Sequence, residues 1–185
     1  MKKLPLLLLL GLLFSGCKFH LIPWRTLEIK YQIRGTAEGF AVERLKDHGW
    51  VWEMESKILK GYYKNMPPGR LVIHIDYWNK TGYRILNNSK FKIPGKVFDK
   101  INWWRAWKSA DFDGVVRIYL NQGYRNMGEK EFLGRKCLVL VRKKSGNLSE
   151  VYLWKKLPFN MPLYRLEKSG GNFFEKKAIE IKEEK

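Results

Sequence analysis

Short runs in which apolar and polar residues alternate constrain the fold of this chain more than any other feature. The clearest run begins at Thr26, where Leu27, Ile29, Tyr31 and Ile33 alternate with charged or amide side chains. An alternation of period two places the apolar side chains on one face of a half-buried strand. Comparable runs recur along the chain between turn residues, so the sequence predicts a fold built from strands.

The spacing of these runs predicts a mainly β domain. We expect a single, strongly curved antiparallel sheet or open half-barrel of about ten to eleven strands, with one lid-like helix. The strands are predicted at 26–34, 40–45, from 50, 71–78, 83–86, 115–120, 135–142, 151–154, 163–167 and 173–181.

The one predicted helix lies at 99–108, where Asp99 can act as its N-cap. Ile101 and Trp104 share an apolar stripe on this helix, and Trp103 and Trp107 lie four residues apart beside it. These side chains suit a lid that packs on the sheet. They equally suit a helix at a membrane interface, where aromatic rings lie among basic residues and lipid headgroups.

The N-terminus has the pattern of a secretory signal. Lys2 and Lys3 precede an apolar run over 4–14, which is too short to span a bilayer that needs about 20 apolar residues. The small residues before Cys17 resemble the bacterial lipobox, in which the cysteine is acylated and becomes the first residue of the mature chain. Phe14 departs from that pattern, since Leu, Val or Ile is more usual there.

The lipobox resemblance implies a signal peptide at 1–16, a lipidated tether at 17–25 and a single domain at 26–185. It also implies a cell-envelope protein that contacts the membrane through acylated Cys17, most simply on the periplasmic side of the outer membrane. The alternative is an ordinary signal peptide, with Cys17 left as a cysteine able to pair with Cys137. In the first case Cys137 is a free, buried thiol.

The chain is strongly basic, with a formal net charge of +18. Such an excess favours a polyanionic partner, and in the envelope the available polyanions are lipid headgroups and cell-wall polymers rather than nucleic acid. A basic surface that serves only solubility and ion pairing is the alternative.

Several segments resemble the Lol-type (LolA/LolB-like) superfamily of lipoprotein carriers and outer-membrane receptors. They are 31–35 with Gly39, 46–49, 134–137, 151–155 and 157–158. The resemblance implies an unclosed barrel of about eleven antiparallel strands around a hydrophobic cavity that holds acyl chains under helical lids. It also places an exposed apolar residue in an early loop, here Met66. One departure is that no room exists for a lid helix before the first strand.

The cavity of such a fold would be lined by apolar residues of the curved sheet. The candidates are Tyr31, Trp50, Trp52, Ile73 and Leu153. This predicts a lipoprotein without enzymatic activity that binds a lipid or the acyl chains of another lipoprotein. The alternative is an interaction lipoprotein whose barrel is filled by tryptophans and whose basic face binds an anionic envelope polymer or a protein partner.

Residues for catalysis, metals or cofactors are not predicted. The three histidines have no metal-ligand spacing with each other or with cysteine. Glu53 and Glu55 share a strand face about 7 Å apart, a separation seen between paired catalytic carboxylates, but we interpret them as part of a solvated strand face.

Overall fold

Eleven antiparallel strands, one α-helix and a short 3₁₀ helix (Asp47–Gly49) are the regular elements of the described part of the chain. The computed structural model describes residues 21–62, 68–95, 112–157 and 160–185. The elements are β1 (Thr26–Gly35), β2 (Ala37–Lys46), β3 (Val51–Gly61), β4 (Gly69–Asp76), β5 (Thr81–Leu86), β6 (Ser89–Lys92), α1 (Phe112–Asn121), β7 (Arg125–Phe132), β8 (Arg135–Lys144), β9 (Asn147–Trp154), β10 (Tyr164–Ser169) and β11 (Asn172–Glu184).

The strands form one sheet in the order β6-β5-β4-β3-β2-β1-β11-β10-β9-β8-β7. Each half of the chain is a meander of neighbouring strands, and the pairing of β1 with β11 joins the two halves. In the described residues β6 and β7 each have a single partner, so the sheet is not closed into a barrel. The predicted fold class, a curved antiparallel sheet with a single helix, is confirmed.

The alternation in β1 produces the burial that the sequence predicts. Leu27, Ile29, Tyr31 and Ile33 are buried, while the residues between them are half-buried or exposed. Paired residues of antiparallel strands point to the same side of a sheet, so the register carries this face across every strand. We call it the helix face because α1 packs on it, and we call the other side the opposite face.

Helix α1 packs on β8 and β9. Its Val115 and Tyr119 form a buried cluster with Leu140, Val151 and Leu153 of the sheet. The prediction of a strand at 115–120 is therefore wrong. Its run of β-branched and aromatic residues has high β-propensity, but apolar residues at 112, 115, 116 and 119 follow the helical period and bury one stripe against the sheet.

Two strands, β6 and β7, were not predicted. Both are polar edge strands with largely exposed side chains, and they lack the alternation by which a half-buried strand is recognised. The predicted helix at 99–108, with Ile101, Trp103, Trp104 and Trp107, lies outside the described residues.

The packed part of the chain begins before β1. Ile22 and Trp24 are buried in the main core cluster, and the Trp24 ring lies 5.1 Å from the Trp154 ring. The backbone N–H groups of Leu21 and Ile22 both donate to the His48 carbonyl oxygen. The segment just before β1 is thus fixed to the turn between β2 and β3.

A substitution of Gly35, at the end of β1, tests how closely β1 packs against β11, where the two meanders meet. The φ of Gly35 is +99°, and a Cβ there would lie 2.1 Å from the carbonyl oxygen of Phe173 in β11. We expect Gly35→Ala to lower the free energy of unfolding by about 3 kcal/mol, from backbone strain and overpacking together. Gly171→Ala is the matched control, since its φ is +81° and no atom lies within 4 Å of the added Cβ. It should cost about 1 kcal/mol in urea denaturation; equal losses would contradict the prediction.

Candidate functional site

Four of the five predicted cavity residues lie on the helix face. Tyr31 pairs with Ala41 of β2, and Ala41 pairs with Ser56 of β3. Trp52 lies four residues before Ser56 on β3, so the two side chains point to the same face. Ile73 lies opposite Met54, and Leu153 contacts α1 on the same face of the sheet.

The five candidates differ in how far they are covered. Tyr31 and Leu153 are fully packed within the protein, at 0% and 3% exposure. Trp50 is also buried and lies just before β3, where its ring meets the Trp78 ring edge to face at 5.2 Å. Only Trp52 and Ile73 are half-buried. The structure therefore brings two of the five together at an incompletely covered surface.

That surface is an apolar strip on β3 and β4. Trp52 pairs with Ile75, and Met54 pairs with Ile73, so the four side chains stand side by side on the helix face. All four are half-buried. We call these four residues the apolar strip. It is continuous with the fully buried core, since Trp52 packs against the core cluster.

The opposite face of the same strands carries ion pairs. They run across β11, β1, β2, β3 and β4, and they join Lys30 to Glu180, Arg44 to Glu28, Lys46 to Glu53, and Arg70 to Glu55, with N–O distances of 2.6–2.8 Å. The two faces of β3 and β4 thus differ sharply: one is charged and internally paired, and the other is apolar and half-covered.

Glu53 and Glu55 are engaged in these ion pairs. Glu53 contacts both Lys46 Nζ at 2.6 Å and His74 Nδ1 at 3.0 Å. Partial burial opposes ionisation of Glu53, but hydrogen bonds from Lys46 and His74 outweigh it and lower the pKa of this carboxyl. A general acid needs a raised pKa instead. This geometry fits the interpretation of a solvated strand face.

A buried polar cluster interrupts the helix face beside the apolar strip. Glu43 of β2 and Lys176 of β11 lie on either side of β1 and form an ion pair, at 5% and 9% exposure. The Lys176 ammonium lies over the Tyr31 ring, with Nζ 3.9 Å from the ring centroid. Ser56, 1% exposed, lies on the same face. We call Tyr31, Glu43, Ser56 and Lys176 the polar cluster.

The polar cluster was not predicted from the sequence. Glu43 is a charged residue at a buried position of β2, in a run that mixes polar and apolar residues, and its partner lies 133 residues further along the chain. The cluster borders the apolar strip, because Glu43 pairs with Met54. Burial, and secondarily the charge of Glu43, raises the pKa of Tyr31 well above its usual value. Tyr31 therefore keeps its O–H proton at neutral pH.

Two hollows open at the sheet ends. One of about 670 Å³ is lined by residues of the β1–β2 and β10–β11 turns and by exposed side chains of the adjoining strands, Phe40, Leu59 and Phe173. The other, of about 460 Å³, is lined by four cationic side chains and one acidic one. These are Arg142, Lys144, Arg165, Lys168 and Glu167.

The structure describes some of the remaining predicted features but not others. Cys137 is a free, buried cysteine, and burial raises the pKa of its thiol to about 11. In the described ranges no group of three or more His, Cys, Asp or Glu side chains could hold a metal ion. Nor does any helix there have the length and apolar character to cross a membrane. Cys17 and Met66 lie outside the described residues.

Removing one partner of the buried ion pair should be costly. Glu43→Leu or Lys176→Met alone leaves the other charge buried without compensation, and we expect each to lower the free energy of unfolding by about 3–5 kcal/mol. The double variant should lie close to the unchanged protein, because packed apolar side chains replace a buried pair at little cost. Urea denaturation of the three variants measures this. Single variants within about 1 kcal/mol of the unchanged protein would refute it.

Stability should fall in acid partly through Glu53. Its folded-state pKa lies below the usual 4.5, so its contribution is fully present above the unfolded-state pKa and is lost as the pH falls through the folded-state pKa. We expect Glu53→Gln to flatten the decline of the unfolding free energy below about pH 4.5. Glu38→Gln, at an exposed position outside the ion pairs named above, is the control and should leave the curve unchanged. Identical acid curves for both variants would contradict the assignment.

Comparison with known proteins places this chain near several solved structures. No protein-family model and no curated protein sequence matches it. It is similar to an uncharacterized conserved protein from Thermus thermophilus, at 17% identity and a TM-score of 0.48 over 87% of this chain and 80% of that one. It is similar to PNGF-II at 15% identity and a TM-score of 0.46, covering 86% of this chain but 28% of that protein. It is also similar to LprF from Mycobacterium bovis, at 11% identity and a TM-score of 0.36 over 86% of both chains. At such identities and TM-scores, none of the three identifies the function of this chain.

Proposed function

We propose that this protein is a membrane-anchored envelope lipoprotein that binds a lipid, or an acyl chain of another lipoprotein, against its apolar strip. It acts as a carrier or receptor and performs no chemical step. Acylated Cys17 is its anchor, and the periplasmic side of the outer membrane is its proposed location.

The observation that carries this proposal is the incomplete cover of the apolar strip. Apolar side chains elsewhere on the helix face, such as Ile29 and Leu153, are packed within the protein. Trp52, Met54, Ile73 and Ile75 are half-buried, although they stand on the face that forms the core. Half-covered apolar surface beside a core favours an apolar ligand.

The energy available from such a site is large. Each CH₂ group of an acyl chain that leaves water contributes about 0.8 kcal/mol, so a fully buried 16-carbon chain contributes at most about 12 kcal/mol. Only part of a chain needs to be covered for affinity in a lipid-rich envelope. The basic surface supports the proposal, since each Lys or Arg near an anionic membrane contributes about 1 kcal/mol.

A second candidate function is favoured by the cationic hollow. Arg142, Lys144 and Lys168 there outnumber the acidic Glu167, which is paired with Arg165. This hollow suits an anionic envelope polymer or an acidic partner. In that case the protein is an interaction lipoprotein, and its sheet carries no lipid.

Lipid extraction distinguishes the two functions. The full chain with Cys17→Ser lacks the acceptor for its own acyl chains, so any lipid that copurifies in stoichiometric amount without detergent must occupy a site. We expect mass spectrometry of the extract to detect a phospholipid or an acylated peptide. A folded, stable protein with an empty extract would overturn the acyl-binding proposal and leave the cationic hollow as the candidate site.

Substitution on β4 tests the position of the site. Ile73→Asn places an amide in the apolar strip, and removing this apolar contact should weaken acyl binding by about ten- to a hundredfold. Val72→Asn is the matched control, because the neighbouring residue points to the opposite face. It should bind as the Cys17→Ser parent does. Binding of a fluorescent fatty-acid analogue measures both, and equal affinities would show that the ligand does not lie on the strip.

A further inference from the structure

We propose that the polar cluster receives the carbonyl oxygen of an ester- or amide-linked acyl group whose chain lies on the apolar strip. This inference rests on the proposed function and adds a ligand class to it: neutral acyl esters or amides, in preference to free fatty acids.

Two buried hydroxyl groups in the cluster are the first support. Tyr31 Oη and Ser56 Oγ are both inaccessible to solvent, and neither has a hydrogen-bond partner within the described structure. Leaving a buried hydroxyl unpaired destabilises a fold, so such groups in native proteins call for an explanation. Two of them on one face, beside a half-covered apolar strip, form a pair of donors without an acceptor.

The position of the cluster relative to the strip is the second support. Ser56 lies two residues from Met54 on the same face of β3, and Glu43 lies directly opposite Met54. An acyl chain laid along Trp52, Met54 and Ile73 would therefore end beside Ser56, and Tyr31 lies in the same register row two strands further on, across Ala41. Apolar pockets with a few convergent polar groups at one end orient their ligands in this way.

The charge of the cluster selects the kind of acceptor. Lys176 is already paired with Glu43, so the cluster carries no net charge. A carboxylate entering it would be a second buried anion beside Glu43, without a cation of its own, which is costly. The carbonyl oxygen of an ester or amide accepts hydrogen bonds from the hydroxyls without adding charge. The Tyr31 ring stays in place under the Lys176 ammonium.

The test uses N-methyldodecanamide and dodecanoate as probes, with the full chain carrying Cys17→Ser. Isothermal titration should show that the amide binds more tightly than the carboxylate at pH 8. Tyr31→Phe and Ser56→Ala each remove one hydroxyl donor. We expect each to weaken amide binding by about five- to tenfold. Without ligand, each should raise the melting temperature by about 2–4 °C, because an unpaired hydroxyl is removed.

The hydroxyls of Tyr124 and Ser149 provide matched controls. These two are buried and hydrogen-bonded to each other at 2.6 Å, away from the apolar strip. Tyr124→Phe and Ser149→Ala should lower the melting temperature and leave amide affinity unchanged. Tyr31→Phe and Ser56→Ala should raise the melting temperature, whereas Tyr124→Phe and Ser149→Ala should lower it. This difference separates a ligand-binding hydroxyl from a structural one.

The outcomes distinguish failure of this inference from failure of the proposed function. If the amide binds but Tyr31→Phe and Ser56→Ala bind it as the parent does, this inference is wrong and the proposed function stands. If dodecanoate binds more tightly than the amide, the preference for a neutral acyl group is wrong. If neither probe binds the parent and the extract is empty, both proposals fail.

Discussion

The pairing of β1 with β11 is the contact on which the rest of the structure depends. The two meanders are each held by local hairpins, but within the described residues this ladder is the only strand pairing between them, with ten residue pairs that begin at Thr26 and Glu184. Because its partners come from opposite ends of the chain, loop closure must be completed before the ladder contributes. The buried ion pair reinforces this join, since Glu43 and Lys176 flank β1 on either side. The central strand is therefore fixed both by its backbone and across its helix face.

The two faces of the N-terminal half serve different purposes. Ion pairs on the opposite face link neighbouring strands in register, for example Arg44 with Glu28 and Lys46 with Glu53. Partly exposed pairs of this kind contribute little stability each, but they keep that face soluble. The helix face buries apolar side chains, and those of the apolar strip on β3 and β4 are only half-buried. At the sheet edges, Lys90 and Lys92 in β6 and the charged residues of β7 discourage pairing with other chains.

Alternation made β1 and the fold class predictable, because one face of β1 is buried and the period of two is visible in the sequence. It also placed Tyr31, Trp52, Ile73 and Leu153 on one face. The helix at Phe112–Asn121 was mistaken for a strand, since Val115, Val116 and Ile118 favour strands by propensity and tertiary packing overrode that preference. The polar cluster could not be predicted at all. Burial of Glu43 depends on Lys176, and only the pairing of β1 with β11 brings these residues together.

The fixed segment before β1 has a geometric consequence for a protein anchored through Cys17. Leu21 and Ile22 are hydrogen-bonded to the His48 carbonyl oxygen, so if Cys17 is the anchor, only residues 18–20 would separate it from the folded domain. Three residues span about 10 Å at full extension. An acylated protein of this kind would stand directly on the bilayer, with the β2–β3 turn and the partly exposed Trp78 nearest to the headgroups. Its orientation would then be set by the shortness of its tether, and a lipid leaving the membrane would meet the sheet from one end.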